Sequence, residues 1–105
     1  MIIVTTNDVP GTSISSVIGE VSGLTVRSRN IGAQFAAGFK SLGGGELKGL
    51  TTQLEQARAE AVARLKAAAE AAGANAVVAM RYDSNELDQN FQEVVAYGTA
   101  VVISS

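Results

Sequence analysis

Two arginines that flank a serine are the residues of this chain best placed to do chemistry. Arg27, Ser28 and Arg29 are followed by Asn30, and a helix is expected to begin near Ile31. Ser28 or Asn30 can cap that helix, whose free backbone N–H groups attract anions. Two guanidinium groups beside the same terminus would hold an anion more firmly. The spacing therefore predicts a candidate anion site at these four residues.

A structural role is the alternative interpretation of the same arginines. Each guanidinium group could pair with a carboxylate such as Glu20 or Glu46, within one subunit or across an interface. Arginine is enriched at protein interfaces, so the residue type alone does not separate the two roles. Glu46 and Lys48, which follow a triple glycine, join the group as further anion or interface candidates.

The glycine-rich stretch at 43–49, GGGELKG, resembles a phosphate-binding loop only in composition. Gly38 and Gly43 have the separation of the two P-loop glycines, but Gly44 stands where that motif needs lysine. Lys48 in turn occupies the last glycine position of a G-x-G-x-x-G motif, and the preceding element is predicted to be a helix. The stretch therefore predicts a turn between two helices.

Three carboxylates in one polar stretch are candidate ligands for a hard cation. Asp83, Glu86 and Asp88 could offer oxygen atoms to calcium or magnesium, although their spacing does not match an EF-hand. The alternative is a loop of solvated charges. The sequence therefore supports an oxygen-ligand metal site only as a second possibility.

The chain contains neither cysteine nor histidine. Disulfides, thiol chemistry, most nucleophile–base pairs and soft-metal sites are excluded with them. Tyr82 and Tyr97 are predicted to form a cross-strand aromatic pair, since no partner for proton transfer is evident. We therefore expect a protein that is not an enzyme and that has no cofactor.

Charge and hydropathy restrict the partners and the location. The net charge is −2 and the isoelectric point lies near 5.0, which argues against a nucleic-acid-binding face. No apolar stretch approaches the ~20 residues that cross a membrane, and the N-terminus lacks the pattern of a signal peptide. The expected location is the cytoplasm.

The chain of 105 residues is expected to form a single domain, 1–105. Alanine, valine and glycine dominate its composition, aromatic residues make up only 5%, and the mean hydropathy is +0.21. Small apolar residues favour thin elements that approach each other closely, often across subunits. We therefore predict a homo-oligomer; the alternative is a compact monomer rich in alanine and valine.

Six elements must position these residues, in the predicted order β-β-α-α-β-β. Strands are expected at 2–5, at 13–27 with a bend, a bulge or a close backbone approach at Gly19 and Gly23, at 75–82 and at 93–104. A hydrophilic connection at 83–92 would join the last two strands into an antiparallel hairpin. The helices must cover one face of this sheet, so the sequence predicts an α+β domain with an antiparallel sheet.

The two helices differ in length and composition. The shorter one, near 31–42, carries Phe35 and Phe39 on one face and ends at the triple glycine. The longer one ends at Gly73 and contains Glu60 and Arg64 at the spacing of an ion pair. Its apolar stripe should face protein rather than water; it comprises Leu47, Leu50, Leu54, Ala57, Ala61, Leu65, Ala68 and Ala72.

An ordered set of motifs resembles the YbjQ family, which is also called UPF0145 and carries the label "putative heavy-metal-binding domain". The motifs are VRSRNIGA, GGELKG, the step Gln56-Ala57-Arg58, GANAVV and EVVAYGTAVV, and they span essentially the whole chain. The resemblance implies a dodecin-like α+β subunit with one short and one long helix. It also implies a ring-shaped homo-oligomer, a pentamer or two stacked pentamers.

The resemblance does not supply metal ligands for this chain. Heavy metals prefer thiolate and imidazole, and both are absent here. The preferred hypothesis is a non-enzymatic oligomeric assembly or ligand-binding module. The alternatives are a metal-binding protein with oxygen ligands and an enzyme or anion sensor at Arg27 and Arg29.

Overall fold

The computed structural model describes residues 1–28, 44–87 and 91–105, without the side chains of residues 44–48 and 50. Within this part the chain forms four strands and one helix. In chain order they are β1 (Ile2–Ile3), β2 (Ser13–Ser28), α1 (Gly44–Ala71), β3 (Ala76–Glu86) and β4 (Phe91–Ser104). The α+β class is confirmed. The predicted short helix lies outside the described residues, so the two-helix order and the dodecin-like arrangement are not confirmed.

The strands form one curled sheet in the order β1-β3-β4-β2. The neighbours β2 and β4, and β3 and β4, are antiparallel, as expected. β1 departs from the prediction, because it pairs in parallel with β3 at Ala76 and Val77. The connection between β1 and β3 includes β2 and all of α1. It is therefore long enough for β3 to run in the same direction as β1.

The polar stretch at 83–92 is not the loop that was predicted. β3 continues through Asp83 to Glu86, and β4 begins at Phe91, so the two strands form one long hairpin. Pairing here is carried by backbone groups, for example the Leu87 N–H that donates to the Phe91 carbonyl at 3.0 Å. The β3 side chains from Arg81 to Glu86 are exposed, so their polarity does not oppose strand formation.

Small side chains let α1 lie directly against the sheet. Its buried residues recur every four positions, at Ala57, Ala61, Leu65 and Ala69. At Gly23 of β2 the helix comes so close that an added Cβ would overlap the helix backbone at Ala61 and Leu65. The sheet residues buried in the same core are Val77, Val94, Ala96 and Ala100.

The predicted apolar stripe is right at Ala57, Ala61 and Leu65 and wrong at Leu54, which is 53% exposed. Towards the end of the helix Ala69 is buried, whereas the predicted Ala68 is half-buried and Ala72 is exposed, because the spacing of four that starts at Ala57 continues to Ala69. The side chains of Leu47 and Leu50 lie outside the described residues. The predicted end of the helix is confirmed: Gly73 has a φ of 91° and donates its N–H to the Glu70 carbonyl.

The first residues of the chain cover one end of the sheet face opposite α1. A second small core forms there from Ala76, Val78 and Val101, with Val4 and Val9 packed against it. A bulge in β3 at Ala79, which has a φ of 55°, turns its N–H to the Thr6 carbonyl at 2.8 Å. The N-terminal segment therefore follows the edge of β3 as far as Met80.

Candidate functional site

Arg27 lies near the end of β2, on the face that α1 covers, and it is held by a carboxylate. Its Nη2 donates to Glu60 Oε2 at 2.8 Å. Glu60 Oε1 accepts hydrogen bonds from Thr25 Oγ1 at 2.9 Å and pairs with Arg64 Nη2 at 2.7 Å. Arg64 also donates to the Leu24 carbonyl. One carboxylate of α1 thus ties together two arginines and a buried threonine.

Thr25, Arg27, Glu60 and Arg64 form what we call the Glu60 cluster. Its charges and burial indicate that it attaches helix α1 to strand β2. Two guanidinium groups meet one carboxylate, and all three side chains are between one third and three fifths exposed. Ion pairs this exposed each contribute at most about 1 kcal/mol, because solvent screens them. The contact between Thr25 and Glu60 matters more, since Thr25 is only 2% exposed and its hydroxyl needs a partner.

The other predicted anion or interface residues are described only in part. Ser28 is half-buried at the end of β2, in register with Phe91. Arg29 and Asn30 lie outside the described residues. Glu46 and Lys48 belong to the first turns of α1, and their side chains lie outside the description. The partner of Arg27 is therefore Glu60, which the sequence singled out only as a partner for Arg64.

The candidate metal ligands do not converge. Asp83 is in register with Val95 and Glu86 with Gln92, so alternation along β3 places their side chains on opposite faces of the sheet. Asp83 Oδ1 instead accepts the Ser84 backbone N–H at 2.9 Å. Asp88 lies outside the described residues. In the ranges that the structure describes, no three acidic side chains come together as a metal site would require.

The predicted tyrosine pair is wrong. The bulge at Ala79 sets Arg81 opposite Tyr97 and Tyr82 opposite Ala96, so the two tyrosines lie on opposite faces. Tyr82 lies instead on the face of α1, where the guanidinium carbon of Arg58 stands 4.7 Å from the centre of its ring. This distance is within the range of a cation–π contact.

A cleft of about 480 Å³ opens beside this contact, between the first half of α1 and the β3–β4 hairpin. It falls within the size range of small-ligand pockets, roughly 300–1,000 Å³. Sequence reasoning missed it, because nothing in the helix pattern shows that α1 lies mainly over β2 and β4 and that the β3 side chains from Arg81 to Glu86 stay exposed. Its lining consists of Thr51, Leu54, Glu55, Arg58, Tyr82, Asp83, Ser84, Gln92 and Val94.

No helix in the described part of the chain is long and apolar enough to cross a membrane.

A solved structure shares this fold. It is a protein of unknown function from Pediococcus pentosaceus, assigned to the DUF74 family, with a TM-score of 0.65 over 99% of this chain and 98% of its own. The sequence identity is 19%, so the likeness concerns the fold alone.

Sequence comparison gives much nearer relatives. A UPF0145 protein of Mycobacteroides abscessus is 62% identical over 103 residues, which are 98% of this chain and 96% of that protein. A UPF0145 protein of Sulfurisphaera tokodaii is 51% identical over 104 residues, 99% of this chain and 91% of that protein. Neither name refers to an enzyme. The family model described as "Putative heavy-metal-binding" matches residues 1–104, and the chain therefore belongs to the YbjQ family, UPF0145.

Proposed function

We propose that this protein is a non-enzymatic, cytoplasmic module of one domain that works as a ring-shaped homo-oligomer. The observation that carries the proposal is the sheet face opposite α1. Beyond the small core at its β1 end, this face presents exposed apolar side chains. Leu24 is 44% exposed, Val26 49% and Tyr97 39%. The pairing of the strands places these residues side by side on one face.

An apolar sheet face of this kind is typical of a buried surface. Among the described residues α1 packs on the other face of the sheet, and only Val4 and Val9 of the N-terminal segment pack on the small core of this one. Exposed contiguous apolar surface in a soluble protein marks an interaction site. A second copy of the chain is the partner that is always present at the required concentration.

The two edges of the sheet support a ring rather than a symmetric dimer. One edge is the long strand β2, and the other is formed by β1 and β3. Contacts between unlike edges are head-to-tail, and such contacts close into a ring when the rotation between subunits allows it. Family resemblance gives the pentamer as the expected ring.

The residues of this chain do not fit the metal that the family description names. Heavy metals select thiolate and imidazole ligands, and the sequence contains no cysteine and no histidine. Asp83 and Glu86 lie on opposite faces of the sheet, as shown above. A metal role for this member is therefore not proposed, and the absence of Cys–His pairs likewise supports a non-enzymatic role.

Native mass spectrometry and light scattering test the ring at micromolar protein concentration. We expect the wild-type chain to form one closed oligomer. A double variant Leu24→Lys and Val26→Lys should release folded monomers, because it places repelling charges on the apolar face. The matched control is Ala63→Lys with Ala67→Lys, which adds the same charge at exposed positions of α1 and should leave the oligomer intact. A monomeric wild-type chain would overturn the proposal.

A further inference from the structure

Arg58 differs from the other arginines that the structure describes. Arg27, Arg64 and Arg81 each donate to a carboxylate or to a backbone carbonyl. Arg58 has no such partner in the described part of the chain, and its guanidinium group lies over the ring of Tyr82 instead. Its charge is therefore not neutralised by another described residue.

The contact with Tyr82 leaves the hydrogen-bonding edge of this guanidinium group available. The ring lies against the face of the group, whereas its N–H donors point outward within the guanidinium plane. Two parallel N–H groups of this kind fit the two oxygens of a carboxylate. Arg58 also lines the cleft beside Tyr82. The cleft therefore presents a carboxylate-binding group that the tyrosine ring holds in position.

A negative charge lies about one helical turn away. Glu55 precedes Arg58 by three residues in α1, is exposed, and lines the same cleft. Residues at this spacing are neighbours on a helix, with Cβ atoms about 5–6 Å apart. In the described structure the two side chains nevertheless form no ion pair with each other. The cleft thus holds two opposite charges that a ligand can bridge.

The other carboxylate of the lining does not change this balance. Asp83 lines the cleft, but alternation along β3 places its side chain on the sheet face opposite to that of Tyr82. Its Oδ1 accepts the Ser84 N–H. The side chains that face the cleft therefore carry one charge of each sign, which complements a ligand with an ammonium group and a carboxylate close together.

Part of the cleft wall is apolar. Leu54 of α1 is 53% exposed there, and Val94 lines the cleft from β4. On the hairpin side Gln92 Nε2 donates to Ser84 Oγ at 2.7 Å, which holds both polar side chains in place. An apolar group of a ligand would leave water here and would cover Leu54. An apolar wall with a few placed polar groups is typical of small-molecule sites.

We propose that this cleft binds a free α-amino acid with an aliphatic side chain. The carboxylate of the ligand pairs with Arg58, its ammonium group pairs with Glu55, and its side chain packs against Leu54. The inference goes beyond the proposed ring. The cleft lies on the α1 face of the sheet, whereas the exposed apolar side chains that support the ring lie on the opposite face.

Ligand-observed NMR titration of the full chain tests the site, with L-leucine as the probe. Two analogues keep its aliphatic chain and lack one charge each: 4-methylpentanoate has no ammonium group, and 3-methylbutylamine has no carboxylate. We expect L-leucine to bind most tightly. The amine should bind at least about tenfold more weakly, because it loses the charged hydrogen bonds to Arg58. An absence of L-leucine binding, or an analogue that binds as tightly as L-leucine, would overturn the proposal.

Charge-removing variants locate the site on α1. Arg58→Gln should weaken L-leucine binding at least about tenfold, and Glu55→Gln should weaken it by a smaller factor. The matched controls are Lys66→Gln and Glu70→Gln, which remove the same charges at exposed positions of α1 outside the cleft and should leave the affinity unchanged. All four positions are exposed, so the circular dichroism spectrum should not change. Unchanged affinity in Arg58→Gln would contradict the assignment.

Two further results separate this inference from its neighbours. Glycyl-leucine places a peptide unit between the ammonium group and the carboxylate, so it should bind more weakly than L-leucine. Tighter binding of the dipeptide would assign the cleft to peptides and overturn the free amino acid as ligand. Light scattering on the same samples reports the ring separately: an oligomer without L-leucine binding would overturn the site alone, and a monomer that binds L-leucine would overturn the ring alone.

Discussion

The helix α1 meets β2 and β3 in opposite ways. Over β2 it touches the backbone itself at Gly23, and Ala61 and Leu65 are completely buried. Over β3 the same helix contacts Tyr82 through the side chain of Arg58, beside a cleft of about 480 Å³. Gly23 has no side chain, and this allows the helix to approach β2 closely at that position. We call the contact of α1 with β2 around Gly23, Ala61 and Leu65 the finished side of the helix, and the cleft beside Tyr82 its open side.

Gly23→Ala should have the largest effect on this contrast. A Cβ at this position overlaps the helix backbone at Ala61 and Leu65, which no side-chain rotation can relieve. We expect a loss of at least about 3 kcal/mol in the free energy of unfolding, or failure to fold. Urea unfolding followed by circular dichroism measures it. The control is Ser22→Ala at the neighbouring exposed position, with a change within about 0.5 kcal/mol. A loss below 1 kcal/mol for Gly23→Ala would show that the helix can move off β2 without cost.

Two leucines of the same helix compare its two sides directly. Leu65 is completely buried over the β2 side, whereas Leu54 is 53% exposed above the cleft. Leu65→Ala should cost about 3 kcal/mol, since it removes buried methyl groups and leaves a cavity. Leu54→Ala should cost less than about 1 kcal/mol in the separated subunit. Both are measured by urea unfolding in the Leu24→Lys and Val26→Lys background.

Equal losses for the two leucines would contradict the picture of one finished and one open side.

The Glu60 cluster joins α1 to β2 at the outer edge of the finished side. Glu60→Ala would leave the buried Thr25 hydroxyl without its acceptor and would separate two arginines from their carboxylate. We expect a loss of about 1–2 kcal/mol, most of it from the hydroxyl, with little dependence on salt. In a double-mutant cycle, Glu60→Ala should cost much less free energy of unfolding when Thr25→Val is already present. The matched control is Glu55→Ala, which changes an exposed carboxylate on the cleft side and should cost under about 0.5 kcal/mol. A loss that disappears in high salt would assign the effect to the ion pairs instead.

The finished side could be predicted from the sequence far better than the open one. The spacing of Ala57, Ala61 and Leu65 predicts a buried stripe, and a glycine within a strand such as Gly23 is a recognised sign of close backbone approach. These are local signals, read over a few turns or a few residues. They failed at Leu54 and Ala72, where the strands beneath the helix determine burial.

The open side depends on relations between distant segments. The parallel pairing of β1, the extension of the hairpin through Asp83 and the cleft at Tyr82 follow from which strands become neighbours. Polar residues at 83–86 look the same in a solvated loop and in an exposed strand. The partner of Arg27 was missed for a similar reason, because Glu60 approaches it only after α1 has docked on β2.

Ala79 gives the smallest test, and it concerns the open side. Its φ of 55° lies in the left-handed region, where alanine costs roughly 1 kcal/mol and glycine costs little. Ala79→Gly should therefore raise the free energy of unfolding by about 0.5 kcal/mol, after the larger entropy of glycine in the unfolded chain is subtracted. Ala96→Gly is the control, because that residue is buried and does not have a positive φ; it should lower stability by about 1 kcal/mol. If both variants lose stability equally, the bulge is not strained. The turn of β3 toward Thr6 would then be set by the N-terminal segment that bonds to it, and not by a backbone conformation that alanine tolerates poorly.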